Sequence, residues 1–331
     1  MKNVGIIGAG SWGTALATVL AGKGIDVRIF DVDEGHLRRM EQNRENVDYL
    51  PGVPLNEHIA MAWSSEEALK GADAVLFSAP AQHFRSALES ALPFIPEEAL
   101  IINVAKGIEQ GTHKRLSEIA SEKIDLNRYV VLSGPSHAEE VGKAMPTTVA
   151  TASVNLQAAE AIQDLFMTDR FRVYTTEDVV GVELGGALKN VIALGAGISD
   201  SMGFGDNAKA ALMTRGLAEI SRLGITLGAK FETFAGLTGV GDLIVTCTSM
   251  HSRNRRCGIL MGQGMDPEAA VKEVGMVVEG MYTAEAAYEL AKIAGVEMPI
   301  ADAIYQITKG NLKAAEAIEL LMGRERKHEQ A

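Results

Sequence analysis

Residues Asn3–Ala21 read NVGIIGAGSWGTALATVLA. The apolar run Asn3–Ile7 has the length and composition of a short buried strand, and the spacing predicts a helix over Thr14–Ala21. Between them stands Gly8-Ala9-Gly10-Ser11-Trp12-Gly13. In that order Gly8 permits a tight turn, Gly10 lets a diphosphate come against the backbone, and Gly13 lets the helix pack on the strand. Glycines at this spacing alone are a weak signal. Here a second apolar run, Val27–Phe30, ends at Asp31 about 20 residues on, where a carboxylate can accept hydrogen bonds from both adenosine ribose hydroxyls. A glycine-rich turn in some other α/β domain would not explain Asp31. The stretch therefore predicts a Rossmann-like dinucleotide-binding domain.

Asp31-Val32-Asp33 also bears on the choice of cofactor. A 2′-phosphate would face one or two carboxylates with no arginine beside them, which favours NAD over NADP. Arg38 and Arg39, on the predicted following helix, are the groups able to reach back, so NADP stays possible. Farther on, Asp73–Ser78, Leu100–Val104, Tyr129–Ser133, Thr147–Thr151 and Phe171–Thr175 read as further buried strands. Ligands of open α/β sheets bind beyond the carboxyl ends of strands, so the informative residues are Pro80-Ala81-Gln82, Lys106-Gly107 and Gly134-Pro135-Ser136-His137-Ala138. Lys106 reads either as a solvated loop lysine or as an anion-binding group, the position favouring the second. His137 reads as a helix-initiating residue rather than a proton donor.

After Phe171–Thr175 the strand pattern stops and Ala/Leu/Met-rich helical stretches take over, which places a domain boundary near residue 180: residues 1–180 for the cofactor, 181–331 for substrate and catalysis. Within Gly181–Asp200, GVELGGALKNVIALGAGISD, the residues Leu184, Leu188, Val191, Gly195 and Ile198 form a core-facing stripe. Lys189 lies off it, in a row with Gly185, Gly186, Ala193 and Ala196, small enough for a backbone or flat ligand to approach closely. An ammonium there is costly unless an anion arrives, or else its stem merely runs past a tight helix contact. In Gly236–Ser249, Asp242 and Thr246 share a helix face, and Asp242 is also placed to cap that helix. Ser252-Arg253-Asn254 offers a hydroxyl, a guanidinium fork and an amide, the donors of a phosphate site, in a basic run that would otherwise be a solvated face.

The chain has 331 residues, is 47% hydrophobic and carries a net charge of −12. That length allows about two domains, and the charge argues against nucleic acid or an anionic membrane as partner. Cys247 and Cys257 lack metal-ligand spacing and read as reduced thiols, with no metal expected. The start lacks a signal-peptide layout, and no apolar run is expected to span a membrane. These readings imply a cytoplasmic protein acting on a small molecule, homodimeric through its apolar helical half. The charged tail Arg324–Ala331 reads as a frayed end.

Taken together, GAGSWGTALA (Gly8–Ala17), AKGIE (Ala105–Glu109), GPSHAEEV (Gly134–Val141), GALKNVIALGAGISD (Gly186–Asp200), GVGDLIVTCTS (Gly239–Ser249), SRNRRCG (Ser252–Gly258) and VVEG (Val277–Gly280) occur in an order that resembles NAD(P)-dependent glycerol-3-phosphate dehydrogenase of the soluble bacterial type. The resemblance implies a helical C-terminal domain like that of 6-phosphogluconate dehydrogenase. It also implies interconversion of dihydroxyacetone phosphate and sn-glycerol 3-phosphate, feeding phospholipid synthesis. Carried over by position, Lys189 matches the catalytic acid/base. Lys106, Gly134, Ser136, Asn190, Asp242, Thr246, Ser252, Arg253 and Asn254 match substrate-site residues. Ser11, Trp12, Lys106, Ala138, Arg253, Val277 and Glu279 match cofactor contacts, beside Gly8, Gly10, Gly13 and Asp31. Many relatives carry a basic residue where this chain has Val32-Asp33, a departure that agrees with the preference for NAD. The rivals are another two-domain dehydrogenase of the β-hydroxyacid or 6-phosphogluconate type, since Lys189-Asn190 occurs there too, and an NAD-binding sensor without catalysis.

Overall fold

Eight strands form one sheet in the computed structural model, which describes residues 1–326 and 328; Lys327, Glu329, Gln330 and Ala331, the end of the charged tail, lie outside the described residues. The strands are β1 (Asn3–Ile7), β2 (Asp26–Phe30), β3 (Ile59–Met61), β4 (Ala74–Phe77), β5 (Leu100–Asn103), β6 (Tyr129–Ser133), β7 (Thr147–Ala152) and β8 (Phe171–Thr176), in spatial order 3-2-1-4-5-6-7-8. All neighbouring pairs are parallel except β6 with β7. The chain order reverses between β1 and β4, and that switch point opens a crevice at the strands' carboxyl ends. In register, Ile7 lies beside both Phe30 and Phe77, so the glycine turn sits between Asp31 and Ser78.

Short-range geometry accounts for the turn. Gly8 has φ 108°, and a Cβ there would stand 2.9 Å from the Ala79 nitrogen. On Gly13 a Cβ would meet the Ser78 hydroxyl at 2.3 Å, which is why the first helix, Ser11–Ala21, can lie so close to the sheet. Around Gly10, apart from its own chain neighbours, no atom of the described residues comes within 4 Å of that position, which leaves room for a phosphate.

Three features differ from the sequence reading. The three-residue β3 is too short to announce itself by periodicity. Strands β7 and β8 run opposite to the rest, so their carboxyl ends lie at the far edge and contribute nothing to the crevice. The helix Val179–Ser201 has no solvent face: it is buried from Gly181 to Ser199 and packed by helices Gly205–Thr226, Asp242–Thr248, Arg253–Gly262 and Glu279–Ala294. By length and composition that helix would pass as a membrane span, contrary to the expectation that no run would; 89% of its most apolar window is buried inside the protein, and the helix is the hub of the second half.

Candidate active site

Glycines on the central helix decide what reaches Lys189. A Cβ on Gly185 would lie 2.3 Å from the Thr238 carbonyl oxygen, so the π-helical turn Leu237–Gly241 presses against the helix there and delivers Asp242 at its end. A Cβ on Gly186 would meet the Ser133 hydroxyl at 2.7 Å, and this gap admits the stem of Lys106 from the carboxyl end of β5. On the next turns, Gly197 and Gly258 let helix Arg253–Gly262 lie against the central helix backbone to backbone, which brings Ser252–Asn254 up to Asn190.

The result is a buried triad. Asp242, 1% exposed, accepts a short hydrogen bond from Lys189 Nζ on Oδ1 and one of 2.9 Å from Lys106 Nζ on Oδ2. Lys189 Nζ also donates to Thr246 Oγ1 at 2.8 Å, and Thr246 Oγ1 donates to the Asp242 carbonyl at 2.6 Å. An ammonium has three donors, so one remains for a substrate oxygen. Lys106 is different: Gly134 O at 2.8 Å, Ser136 Oγ at 3.4 Å and Asp242 use all three of its donors. It can attract an anion by charge, but must exchange a partner to bond one. The expected capping role of Asp242 is not found. It is the first residue of helix Asp242–Thr248, Gly241 occupies the cap position, and the carboxylate turns inward to the lysines.

Burial pulls the Lys189 pKa down, Asp242 opposes that, and Lys106 adds to it, leaving the amine at about 7. Burial would raise Asp242, but the two lysines more than offset it and hold the carboxyl below its ordinary range. The site thus carries a carboxylate that stays ionised and an amine poised near neutrality, the condition for giving or taking a proton at physiological pH.

Lys189, Lys106 and Thr246, with Asp242 behind them, lie at a cleft of about 860 Å³ that is also lined by Asn190, Ala79-Pro80, Ser11-Trp12 and Asp31. A larger cavity of about 1010 Å³ lies among the later helices, lined mostly by aliphatic side chains, and contains none of them. Arg253, Ala138, Val277 and Glu279 line the cleft wall. Arg253 makes no hydrogen bond or ion pair with any described residue; burial lowers its pKa against the opposing pull of Glu279 and Glu139. Its expected companions are already engaged. The Ser252 hydroxyl caps its own helix through Arg255 N, and the Asn254 amide bridges Asn190 Oδ1 at 2.9 Å to Gly280 N at 2.8 Å. Glu279 accepts from Ala81 N with Oε1 while Oε2 is buried without a partner, and burial raises its pKa. The indole Nε1 of Trp12 is likewise buried and unpartnered. His137 stands at the cap position of helix Ala138–Gly142 but its ring does not cap it; the ring reaches the Val245 carbonyl at 3.4 Å and tilts against His251.

At the other end, Asp31 is held by Ala9 N at 2.7 Å and Asp33 N at 3.0 Å. The two arginines able to reach back are already engaged: Arg38 pairs with Glu34 and stacks on Trp63, and Arg39 pairs with Asp48 at 2.7 Å. A support that sequence reasoning missed lies under the glycine turn, where His36 Nε2, at 3.0 Å, and Asn46 Nδ2, at 2.9 Å, both bond the Ala9 carbonyl. Nothing in the irregular segment around Asn46 announces this, because the contact spans 37 residues. An empty space at Gly10, a carboxylate at the end of β2 and unpartnered polar atoms on Trp12 and Glu279 together fit a dinucleotide.

Comparison with known proteins agrees with this geometry. A profile described as NAD-dependent glycerol-3-phosphate dehydrogenase N-terminus matches residues 3–159, and one described as the C-terminus of the same enzyme matches residues 178–319. Curated proteins called glycerol-3-phosphate dehydrogenase [NAD(P)+] are similar along the whole chain. That of Clostridium perfringens (strain SM101 / Type A) is 51% identical over 100% of both chains, and that of Pelotomaculum thermopropionicum is 54% identical over 98% of this chain and 94% of its own. The crystal structure of glycerol-3-phosphate dehydrogenase from Coxiella burnetii superposes with a TM-score of 0.93 at 38% identity, covering 98% of this chain and 99% of that one.

Proposed function

The chain belongs to the NAD-dependent glycerol-3-phosphate dehydrogenase family, and from that premise we propose how its residues carry the reaction. It is an oxidoreductase that interconverts dihydroxyacetone phosphate and sn-glycerol 3-phosphate with NAD(P). The rival readings, another two-domain dehydrogenase or an idle sensor, are set aside by this membership. The observation that carries the residue-level account is the Lys189–Asp242–Lys106 triad at the deep end of the dinucleotide cleft.

A bound nicotinamide supplies the hydride. Lys189 gives its proton to the alkoxide that develops on the ketone oxygen, and as a cation it stabilises that charge before transfer. In the reverse direction the neutral amine takes the hydroxyl proton. Asp242 keeps the ammonium from being expelled by burial, and Thr246 fixes its direction. Arg253 takes the substrate phosphate, converting binding energy remote from the reacting carbon into alignment. Asn254 acts mainly by holding helix Arg253–Gly262 to Asn190, and Ser252 by capping it. In an assay of NADH oxidation with dihydroxyacetone phosphate, Lys189→Ala should lower kcat by about 10²-fold or more while NADH binding persists. Near-normal turnover of Lys189→Met would overturn the assignment.

NAD is the preferred cofactor in this reading, because Asp31 and Asp33 stand where a 2′-phosphate would go and Arg38 and Arg39 are already paired with Glu34 and Asp48. The division into cofactor and catalytic units falls near residue 180, where the sheet ends at Thr176 and the central helix starts at Val179. Pairing into a homodimer would use the later helices, where Phe204, Ile225 and Met322 are exposed around the apolar cavity. Sedimentation at equilibrium tests that. The product's use in phospholipid synthesis follows from the family alone.

A further inference from the structure

Arg256 is a cleft residue that the account above leaves unused. It follows Arg253 by three positions on helix Arg253–Gly262, hence on the same face, and lines the same cleft with Val271, Lys272 and Met276. Among the described residues its buried Nε has no hydrogen-bond partner and its guanidinium forms no ion pair. The neighbouring Arg255 shows what a structural arginine looks like in this helix: it bonds Asp200 at 2.8 and 2.7 Å and the Thr248 carbonyl at 3.0 Å. Two guanidiniums thus line one cleft, neither in an ion pair with a described residue, which points to an anion brought by a ligand.

Position along the cleft identifies that anion. The helix touches the catalytic end through its first turn, where Asn254 bonds Asn190, and then runs along the central helix with Gly258 on Leu194 and Gly262 on Ile198. Arg256 is therefore set about 4.5 Å beyond Arg253 along the helix axis, at about 1.5 Å per residue. The glycine turn Gly10–Trp12, which follows β1, and Asp31 at the end of β2 line the same cleft. Between the substrate end and the ribose end a dinucleotide carries its diphosphate, two negative charges that the glycine turn meets only with N–H dipoles.

We propose that Arg256 anchors the diphosphate of the dinucleotide, the second half of the chain thereby supplying a full positive charge where the glycine turn offers only N–H dipoles. This rests on reading the cleft as the cofactor site. It adds a charged hold on the diphosphate to the cofactor contacts expected of Arg253, Val277 and Glu279 in the second half.

The test is equilibrium binding to the free enzyme, by calorimetry, of NADH, NADPH, ADP-ribose and adenosine, for wild type, Arg256→Met and Arg256→Lys. Loss of a charge-assisted bond to phosphate should weaken NADH, NADPH and ADP-ribose alike, by about 10- to 100-fold in Arg256→Met and less in Arg256→Lys, and leave adenosine unchanged. Without ligand, Arg256→Met should melt no lower than wild type, because an unpaired cation has been removed; wild type should gain the larger rise in Tm on adding ADP-ribose. Unchanged ADP-ribose affinity overturns the proposal. So does a loss confined to NADPH, which would assign Arg256 to the 2′-phosphate, or a loss seen only in KM for dihydroxyacetone phosphate, which would assign it to substrate. Failure of the wild type itself to bind NADH would instead overturn the reading of the cleft.

Discussion

Replacing Asp242 by asparagine keeps the shape of the triad and removes the one influence that holds Lys189 protonated. In the native site burial and Lys106 both push the amine down, Asp242 pushes it up, and the balance is about 7. Opposite charges about 3 Å apart at an effective dielectric of about 20 interact by about 5 kcal/mol, or about 4 pKa units. Much of this is recovered, since the amide oxygen still accepts a bond and Lys106 still has Gly134 O and Ser136 Oγ. About 2 units of net fall is therefore expected, which places Lys189 near 5. At about pH 7.5 the protonated fraction then drops roughly 10²-fold, and kcat/KM for ketone reduction drops with it. The assay is the pH dependence of kcat/KM for dihydroxyacetone phosphate between about pH 5 and 9, followed by NADH absorbance. Native enzyme should lose activity as pH rises through about 7, and Asp242→Asn should lose it about 2 units lower, recovering in acid. Lys106→Met removes a like charge and should move the midpoint the other way, even if KM suffers. An Asp242→Asn profile with the native midpoint and only a lower plateau would refute the reasoning, as would an upward shift.

Arg253→Ala should raise KM for dihydroxyacetone phosphate by about 10- to 100-fold and leave the low activity on unphosphorylated dihydroxyacetone almost unchanged; equal losses on both would remove Arg253 from the phosphate. Asp31→Ala should narrow the NADH-to-NADPH ratio of kcat/KM by about tenfold and also raise KM for NADH, because Ala9 N loses its acceptor. A ratio below one in the native enzyme would contradict the preference outright. Glu219 offers a stability test away from the chemistry: burial lifts it to about 7, against the bonds it accepts from Ile300 N and Ala301 N. Its folded pKa lies above its unfolded value of about 4.5, so the folded chain holds a proton the unfolded chain has lost in that window, and stability falls as pH rises from about 4.5 to 7. Denaturant titrations should show a fall of at most about 3 kcal/mol that Glu219→Gln removes; an unaltered slope would contradict it.

What the sequence announces here is what has a local signature. The glycine turn, its strand and Asp31 lie within about 30 residues and read directly. The pairing of Asp242 with Thr246 on one helix face was likewise legible, because it depends only on helical period. The destination of Asp242 was not. Its place after Gly241 suits a cap equally well, and only the close approach at Gly185 turns it toward Lys189. Strand direction is similarly silent: Thr147–Ala152 has the same apolar character whichever way it runs, so the reversal at β7 appears only in three dimensions. The stripe on the central helix was read as one core face, but glycines off it, Gly185 and Gly197, let the backbones of Thr238 and Arg255 come close and cover the helix on other sides. Ser252 and Asn254 were assigned to the phosphate by donor type, and structure gives their polar atoms prior partners. Arg256 escaped notice within a basic run whose members differ only in whether a carboxylate meets them.

The most direct measurement is a crystal structure of the ternary complex with dihydroxyacetone phosphate and a non-reducing cofactor analogue. The account predicts Lys189 Nζ at hydrogen-bond distance, about 2.7–3.1 Å, from the ketone oxygen while it keeps its bond to Asp242. A ketone oxygen met by another donor, with Lys189 still closed on Asp242 and Thr246 and no nearer to the substrate, would contradict it.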